Sequence, residues 1–165
     1  WAPVKFTPQG AHSRNVFAIC TEPGEWGDRS GGGRALTVSM DRMLGMWDAE
    51  RDAKSLWMLP GLGGYVYALD WCPTDPATLA VAVGDQTIRV WNTGHPSDPY
   101  DSTLLWRGLQ TKVTCVKWHP TADGRLGFAL DDGRVGVYDT FSSRFRMLPG
   151  RHAGTVYQLG WRLLP

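Results

Sequence analysis

Basic and aromatic side chains recur in the segments that separate the apolar runs of this sequence. The set comprises His12, Arg14, Arg42, Tyr65, Tyr67, Trp106, Arg107, Lys112, Arg134, His152 and Tyr157. Flat rings stack on unpaired bases, and guanidinium groups donate hydrogen bonds to phosphate oxygens. Few acidic residues stand among them beyond the aspartates of the turns. The chemistry that these residue types favour is the binding of single-stranded nucleic acid.

The overall charge of the chain limits how such binding would work. Its 165 residues include 17 Lys and Arg against 16 Asp and Glu, which leaves a net charge of +1. A chain this close to neutrality has no bulk attraction for a polyanion, so nucleic-acid binding would need a local basic patch. The composition is 42% hydrophobic and 20% charged, which is typical of a globular chain of one domain's length.

The sequence supports no metal, cofactor or membrane site. Cys20, Cys72 and Cys115 are far apart and form no CxxC pair. We therefore expect reduced thiols in a cytosolic or nuclear protein, and neither a zinc site nor a disulfide. No apolar run approaches the roughly 18 residues needed to cross a membrane. We expect no metal, no cofactor and no membrane contact.

Catalysis is equally unsupported. The sequence contains no nucleophile elbow, no HExxH pair and no phosphate-binding loop, and the run Gly31-Gly32-Gly33 lacks the lysine of such a loop. His12 could act as a general base or metal ligand only with an acidic or cysteine partner set at ligand spacing, which is missing. We expect a protein that is not an enzyme and has no small-molecule substrate.

Two markers repeat along the chain in constant phase, and they define the elements that carry these residues. The first is an apolar run led by a valine, at Val16, Val66, Val113 and Val156, with spacings of 50, 47 and 43 residues. The second is an aspartate followed six positions later by an aromatic residue, at Asp41 and Trp47, Asp85 and Trp91, and Asp132 and Tyr138. Short β-like runs and turn residues lie between the markers. This periodicity indicates an array of similar β units.

A unit of about four strands and about 40–45 residues that closes on a Trp-Asp pair resembles the blade of a WD40 β-propeller. The resemblance implies an all-β fold: a WD40 β-propeller fragment of about three four-stranded blades plus the first strand of a fourth. We place the blades at 12–60, with a flexible insertion at 22–33, at 61–108 and at 109–150, and the further inner strand at 151–165. Because a closed propeller needs about 4–8 blades, the chain is part of one propeller or the junction of two.

Each repeat also carries residues that match the structural network of WD blades. In the first blade the set is complete, with His12, Thr37, Asp41 and Trp47 at the positions that hydrogen-bond to one another in that family. The second and third blades retain only the aspartate and the aromatic residue, namely Asp85 with Trp91 and Asp132 with Tyr138. We expect these two blades to depend more on apolar packing.

The basic and aromatic residues fall in two kinds of connection that emerge on one face of a propeller. One leads into a blade's first strand, and the other joins its second and third strands. Trp71 and Trp118 close inner strands and are expected in the core, whereas Tyr65 and Arg42 lie in turns and are expected at the surface. From the residues alone, protein binding is the more common use of such a face. RNA binding and a protein-interaction scaffold therefore both stay open.

Particular segments resemble a narrower family. They are Ser39-Met40-Asp41-Arg42, Leu59 to Tyr67, Val83-Gly84-Asp85, Ile88 to Thr93, Lys112-Val113-Thr114, Trp118 to Thr121, Asp131-Asp132-Gly133 and Thr155-Val156-Tyr157. From about His12 to Trp161, the chain is similar to the Gemin WD-repeat family of the survival-motor-neuron (SMN) complex.

This narrower resemblance implies RNA recognition. Members of that family bind small nuclear RNA through its uridine-rich Sm site and its 7-methylguanosine cap, for spliceosomal snRNP assembly with Gemin and SMN complex proteins. The family's RNA-contacting residues fall on Arg14, Arg42, Tyr65, Tyr67, Trp106 and Tyr157. At Tyr65 the family more often has Phe, which keeps the stacking ring, and at Ala153 and Gly154 its lysines are missing. The resemblance also implies a location in the cytoplasm and the nucleus, including nuclear bodies.

Overall fold

Every regular element in the described part of the chain is a β-strand. The computed structural model describes residues 11–24, 33–49, 54–60, 64–92, 102–106 and 109–163. The strands are β1 (Val16–Thr21), β2 (Arg34–Ser39), β3 (Met43–Asp48), β4 (Lys54–Pro60), β5 (Val66–Trp71), β6 (Thr78–Val83), β7 (Thr87–Asn92), β8 (Ser102–Trp106), β9 (Val113–Trp118), β10 (Arg125–Leu130), β11 (Val135–Asp139) and β12 (Arg144–Met147). Within those residues, no helix is long and apolar enough to span a membrane.

Consecutive strands pair antiparallel and form three four-stranded sheets. Sheet one contains β1 to β4, sheet two β5 to β8 and sheet three β9 to β12. The first strands of the sheets, β1, β5 and β9, lie next to one another in that order. The predicted all-β propeller fragment is confirmed.

The turns after β2, β6 and β10 share one backbone conformation, which explains the constant aspartate of the repeats. In each turn an aspartate Oδ1 accepts a hydrogen bond from the backbone N–H two residues later: Met43 to Asp41 at 2.9 Å, Thr87 to Asp85 at 3.2 Å and Arg134 to Asp132 at 3.1 Å. The residue between them has a left-handed φ, which is 66° at Arg42, 68° at Gln86 and 89° at Gly133. Aspartate favours such turns because its short side chain bonds to the nearby backbone.

The core lies between the faces of successive sheets. Along β6, Leu79, Val81 and Val83 pack against sheet one, while Ala80 and Ala82 pack against sheet three. Alternate side chains of a strand point to opposite faces, so a strand that is covered on both sides is apolar throughout. This stacking of sheets face to face is the arrangement of propeller blades.

Sheet one differs from the other two because the outer side of β1 is uncovered. Val16 and Ile19 are exposed although both are apolar, and Ile19 is 66% exposed. The equivalent strands β5 and β9 are mostly buried, since sheet one packs beside β5 and sheet two beside β9. An apolar strand surface of this kind is a ready site for packing against another sheet.

The segment predicted as the inner strand of a further blade, 151–165, forms no strand in its described part, which ends at residue 163. Side-chain bonds attach it to sheet three. The Trp161 indole N–H donates to the Lys117 carbonyl at 3.0 Å, and the Thr155 hydroxyl donates to Asp131 at 2.8 Å. A strand requires a hydrogen-bonded ladder partner, and no described strand pairs with this segment.

Only the ends of the insertion predicted at 22–33 fall within the description, because residues 25–32 lie outside the described residues. At one end, Glu22 is buried and forms an ion pair with Arg34 of β2. The stem of the insertion is thus fixed to sheet one.

Candidate nucleic-acid interface

Five side chains converge near the first strands of the sheets, and we call this group the aromatic strip. Arg42 comes from the β2–β3 turn, Tyr65 directly precedes β5, Tyr67 and Phe17 are the second residues of β5 and β1, and Lys112 directly precedes β9. The β2–β3 turn and the starts of β1, β5 and β9 lie at the same end of the sheets, because strand direction alternates within each sheet. The predicted site residues Arg42, Tyr65 and Tyr67 are therefore neighbours in space.

The rings and cations of the aromatic strip lie at contact distances. The Arg42 guanidinium carbon is 5.0 Å from the Tyr65 ring centroid. The centroids of Tyr65 and Tyr67 are 6.5 Å apart with planes at 59°, and Phe17 lies 5.6 Å from Tyr67 at 37°. The Lys112 ammonium nitrogen is 6.0 Å from the Tyr67 centroid. These cation–π and tilted ring contacts order the side chains, while Arg42, Phe17 and Lys112 stay exposed to a ligand.

Gly84 allows the two tyrosines to lie close to the backbone of sheet two. Its N–H donates to the Tyr65 carbonyl at 2.6 Å. A Cβ atom at this position would lie 3.0 Å from that carbonyl oxygen and 3.0 Å from the Tyr67 ring. Glycine therefore permits a close approach between ring and backbone that any other residue would obstruct.

The aspartates beside the strip are engaged by their own partners. Burial opposes ionisation of Asp41, but hydrogen bonds from the Met43 and Ser13 N–H groups and from His12 hold the pKa of Asp41 below its usual value. Asp85 forms an ion pair with Arg89 at 2.8 Å. The strip itself contains two cations, Arg42 and Lys112, against the one carboxylate charge of Asp41 beside it, so a positive excess remains to attract phosphate.

A chain of hydrogen bonds holds the β2–β3 turn in place. The Trp47 indole N–H donates to the Thr37 hydroxyl oxygen at 2.6 Å, and that oxygen lies 2.7 Å from His12 Nε2. His12 Nδ1 lies 3.0 Å from the Asp41 carboxylate. With the His12 proton on Nδ1, each donor in this chain has an acceptor. These bonds position Arg42, since it directly follows Asp41.

Sheets two and three replace this network with arginines. Asp85 binds Arg89, and Asp132 accepts a hydrogen bond from Arg134 Nε at 2.7 Å. Val81 stands four residues before Asp85, as Thr37 stands before Asp41. With no hydroxyl there, the Trp91 indole N–H is buried without a hydrogen-bond partner among the described residues. These sheets therefore combine apolar packing with an arginine–aspartate pair.

Two other predicted site residues, Arg14 and Tyr157, do not join these ring contacts within the described part of the chain. Arg14 is exposed, and its backbone carbonyl accepts a hydrogen bond from Ser39 Oγ at 3.1 Å. Tyr157 is 82% exposed on the segment beyond sheet three. The Trp106 side chain lies outside the described residues, although its backbone ends β8.

The sequence did not indicate Phe17 as a site residue, and it indicated Lys112 only as one of the basic residues before a first strand, not as an RNA contact. Phe17 and Tyr67 each follow the leading valine of a repeat, so they occupy equivalent positions. An alignment of the repeats on their leading valines would therefore have identified Phe17 from the sequence. Lys112 reaches Tyr67 from the start of sheet three, and no spacing rule along the chain indicates such a contact.

Comparison with known proteins identifies the family. The family model of the WD domain, G-beta repeat, matches residues 53–92, a range that includes β4 to β7. Gem-associated protein 5 of Homo sapiens is 42% identical over 151 residues, or 91% of this chain and 10% of that protein. Component of gems protein 5 of Dictyostelium discoideum is 37% identical over 137 residues, or 80% of this chain and 10% of that protein. The chain is a WD40-repeat homologue of Gem-associated protein 5.

This Gem-associated protein 5 homologue spans about a tenth of the length of those relatives. Other proteins match over a shorter stretch. "Probable cytosolic iron-sulfur protein assembly protein CIAO1" of Homo sapiens is 36% identical over 78 residues, or 44% of this chain and 23% of that protein. The longer coverage confirms the narrower resemblance found in the sequence.

Proposed function

We propose that this Gem-associated protein 5 homologue binds single-stranded RNA along the aromatic strip. The observation that carries the proposal is the Arg42 guanidinium held 5.0 Å over the Tyr65 ring, beside Tyr67 and Phe17. Aromatic rings take up unpaired bases by stacking, and neighbouring cations contact the phosphates between those bases. The proposed role is binding and not catalysis.

The tilt between the rings favours a single strand over a duplex. With planes at 37° and 59° to one another, the three rings are separate platforms and not one continuous stack. Each ring can stack on one base that is unstacked from its neighbours, and such bases occur in single-stranded RNA. The small number of cations in the strip also argues against a duplex, which is held chiefly through its phosphates.

The identity of the RNA rests on the resemblance to the Gemin family. We propose the uridine-rich Sm site and the 7-methylguanosine cap of small nuclear RNA as ligands, within spliceosomal snRNP assembly. Gemin and SMN complex proteins are the proposed partners, and the cytoplasm and nucleus are the proposed locations. The 91% coverage of this chain by Gem-associated protein 5 supports these proposals.

Replacing Tyr65 in the full-length protein tests the proposal. Tyr65→Ala is expected to weaken binding of a fluorescein-labelled uridine-rich oligonucleotide by about 1–3 kcal/mol, the usual contribution of one stacked base. Tyr65→Phe is expected to bind like the parent, because the ring and not the hydroxyl stacks. Fluorescence anisotropy titrations measure both affinities.

Two controls make the result specific. Phe145→Ala removes an exposed ring from β12, the last strand of sheet three, and should leave the affinity unchanged. A scrambled oligonucleotide of equal length should bind more weakly, because equal salt-dependent binding would indicate only a basic surface. If Tyr65→Ala binds as tightly as the parent, the strip is not the RNA site and the protein-interaction scaffold becomes the better interpretation.

A further inference from the structure

A cavity of about 400 Å³ lies between sheets two and three, at the opposite end of the strands from the aromatic strip. It is bordered by the β5–β6, β9–β10 and β11–β12 turns, whereas the strip lies at the β2–β3 turn and the strand starts. Cys72 and Trp118, both buried, and the half-buried Val90 provide its apolar surface. The two surfaces share no residue.

The exposed part of the cavity wall is acidic. Asp75 is fixed by hydrogen bonds from the Ala77 N–H at 3.0 Å and from the Thr78 hydroxyl. Asp123, from the facing turn of sheet three, has no hydrogen-bond or ion-pair partner within the described residues. Among the described residues that line the cavity, none is basic. The wall therefore attracts a cation and repels an anion.

An aromatic ring completes the wall. Phe141 is 78% exposed, yet its ring is seated against Gly124. Gly124 has a φ of 67°, and a Cβ there would lie 2.6 Å from Phe141 Cε2, so glycine is needed to hold the ring in this position. A seated, exposed ring next to carboxylates is the arrangement that binds the cationic head of a side chain.

We propose that this cavity binds an arginine or lysine side chain presented by a basic segment of a partner protein. The apolar surface of Cys72, Val90 and Trp118 accommodates the methylene stem, while Phe141 and Asp123 take the charged head. RNA is disfavoured because its phosphates would meet the two carboxylates. The molecule would then hold a protein at one end of its sheets and RNA at the other.

Peptide binding to the full-length protein tests this proposal. The probe is a fluorescein-labelled peptide, Ser-Arg-Ala-Ser-Arg-Ala, and its counterpart is the same peptide with citrulline in place of both arginines. Citrulline keeps the length and planarity of the side chain but removes its charge. The arginine peptide is expected to bind at least about tenfold more tightly, and Asp123→Asn and Phe141→Ala should each weaken it at least about fivefold.

Matched variants separate this site from general surface charge and from the RNA site. Phe145→Ala, on the same sheet but outside the cavity, should leave peptide binding unchanged. Asp123→Asn and Phe141→Ala should also leave uridine-rich RNA binding unchanged, whether or not the aromatic strip proves to be the RNA site. Absent binding of the arginine peptide, equal binding of the citrulline peptide, or unaltered affinity in both variants would overturn the proposal.

Discussion

Arg42 adopts a backbone conformation that is unfavourable for arginine. Its φ of 66° is left-handed, and the equivalent residue of sheet three is Gly133, at 89°. A residue with a side chain is disfavoured there by about 1–2 kcal/mol, because Cβ crowds the following carbonyl. Gln86 shares this conformation, with a φ of 68°, so the backbone alone does not mark Arg42 as functional. The same turn aims the guanidinium at Tyr65, which supports a binding role for a side chain that the backbone does not favour.

Arg42→Gly separates this binding role from stability. Glycine relieves the turn, so the free energy of unfolding should rise by up to about 1 kcal/mol. The affinity for uridine-rich RNA should fall, and the salt dependence of binding should decrease by about one counterion, because one phosphate contact is lost. Chemical denaturation and anisotropy titrations at several salt concentrations measure the two effects.

Gln86→Gly is the matched control, because Gln86 holds the same turn position in sheet two with a φ of 68°. It should bring the same stability gain without a change in RNA affinity. A destabilised Arg42→Gly variant would instead make Arg42 a structural residue. Unchanged RNA binding by this variant would remove Arg42 from the site.

At the level of strands, β5 and β9 are joined by one buried carboxylate. Asp70 accepts the Trp118 N–H at 2.7 Å and forms an ion pair with Lys117, and its carbonyl accepts the Trp118 indole N–H at 3.1 Å. The bond from the Trp161 indole to the Lys117 carbonyl, at 3.0 Å, repeats this contact one unit later. The Trp118 indole thus connects sheet three to sheet two, and the Trp161 indole connects the segment after sheet three to that sheet. The Trp71 indole N–H instead donates to the Pro76 carbonyl of its own sheet at 2.7 Å.

This contact predicts a distinctive pH dependence. Burial raises the pKa of Asp70 above its ordinary value of 3.8, although Lys117 and the Trp118 N–H favour the charged form. The folded chain therefore keeps the Asp70 proton to a higher pH than the unfolded chain does. Because of this group, the free energy of unfolding should fall as the pH rises from 3.8 through the pKa of Asp70 in the folded chain. In Asp70→Asn that slope disappears. Urea titrations measure the free energy of unfolding of parent and variant at each pH. The parent value minus the variant value should decrease as the pH rises through this window.

Comparing the parent with Asp41→Asn should show a pH dependence of stability opposite in sign to that found with Asp70→Asn. Because its hydrogen bonds keep the pKa of Asp41 below 3.8, its contribution is present above that pH and is lost as pH falls through the folded pKa. The stability of the parent relative to Asp41→Asn should therefore decrease on acidification. Parallel slopes for the two variants would contradict the assignment of Asp70 to a burial-dominated site.

For the molecule as a whole, the number of sheets and the placement of Arg42, Tyr65 and Tyr67 on one face could be predicted. The contacts that Phe17 and Lys112 add to this group could not. Valine recurs at the start of each inner strand, and aspartate recurs in each turn between the second and third strands. Both are local requirements, so the repeats can be found in the amino-acid sequence alone. The Phe17–Tyr67 and Lys112–Tyr67 contacts join different sheets, and their geometry depends on how sheets pack. The arginine partners of Asp85 and Asp132 were likewise missed, since long side chains reach their partners by rotamer choice and not by a fixed spacing.

The uncovered side of β1 predicts how residues 1–165 behave when expressed alone. The three sheets of the described residues are fewer than the four or so that a closed propeller needs, and β1 presents the apolar side chains Val16 and Ile19. Such a surface associates with other copies, so sedimentation velocity should show an average particle size that increases with protein concentration.

Ile19→Lys, which places a charge on this surface, should reduce the association. Leu56→Lys on β4, where the parent leucine is 46% exposed, should not. A monomer at every concentration with one sharp unfolding transition would show that the three sheets are self-sufficient and that β1 is not an association surface.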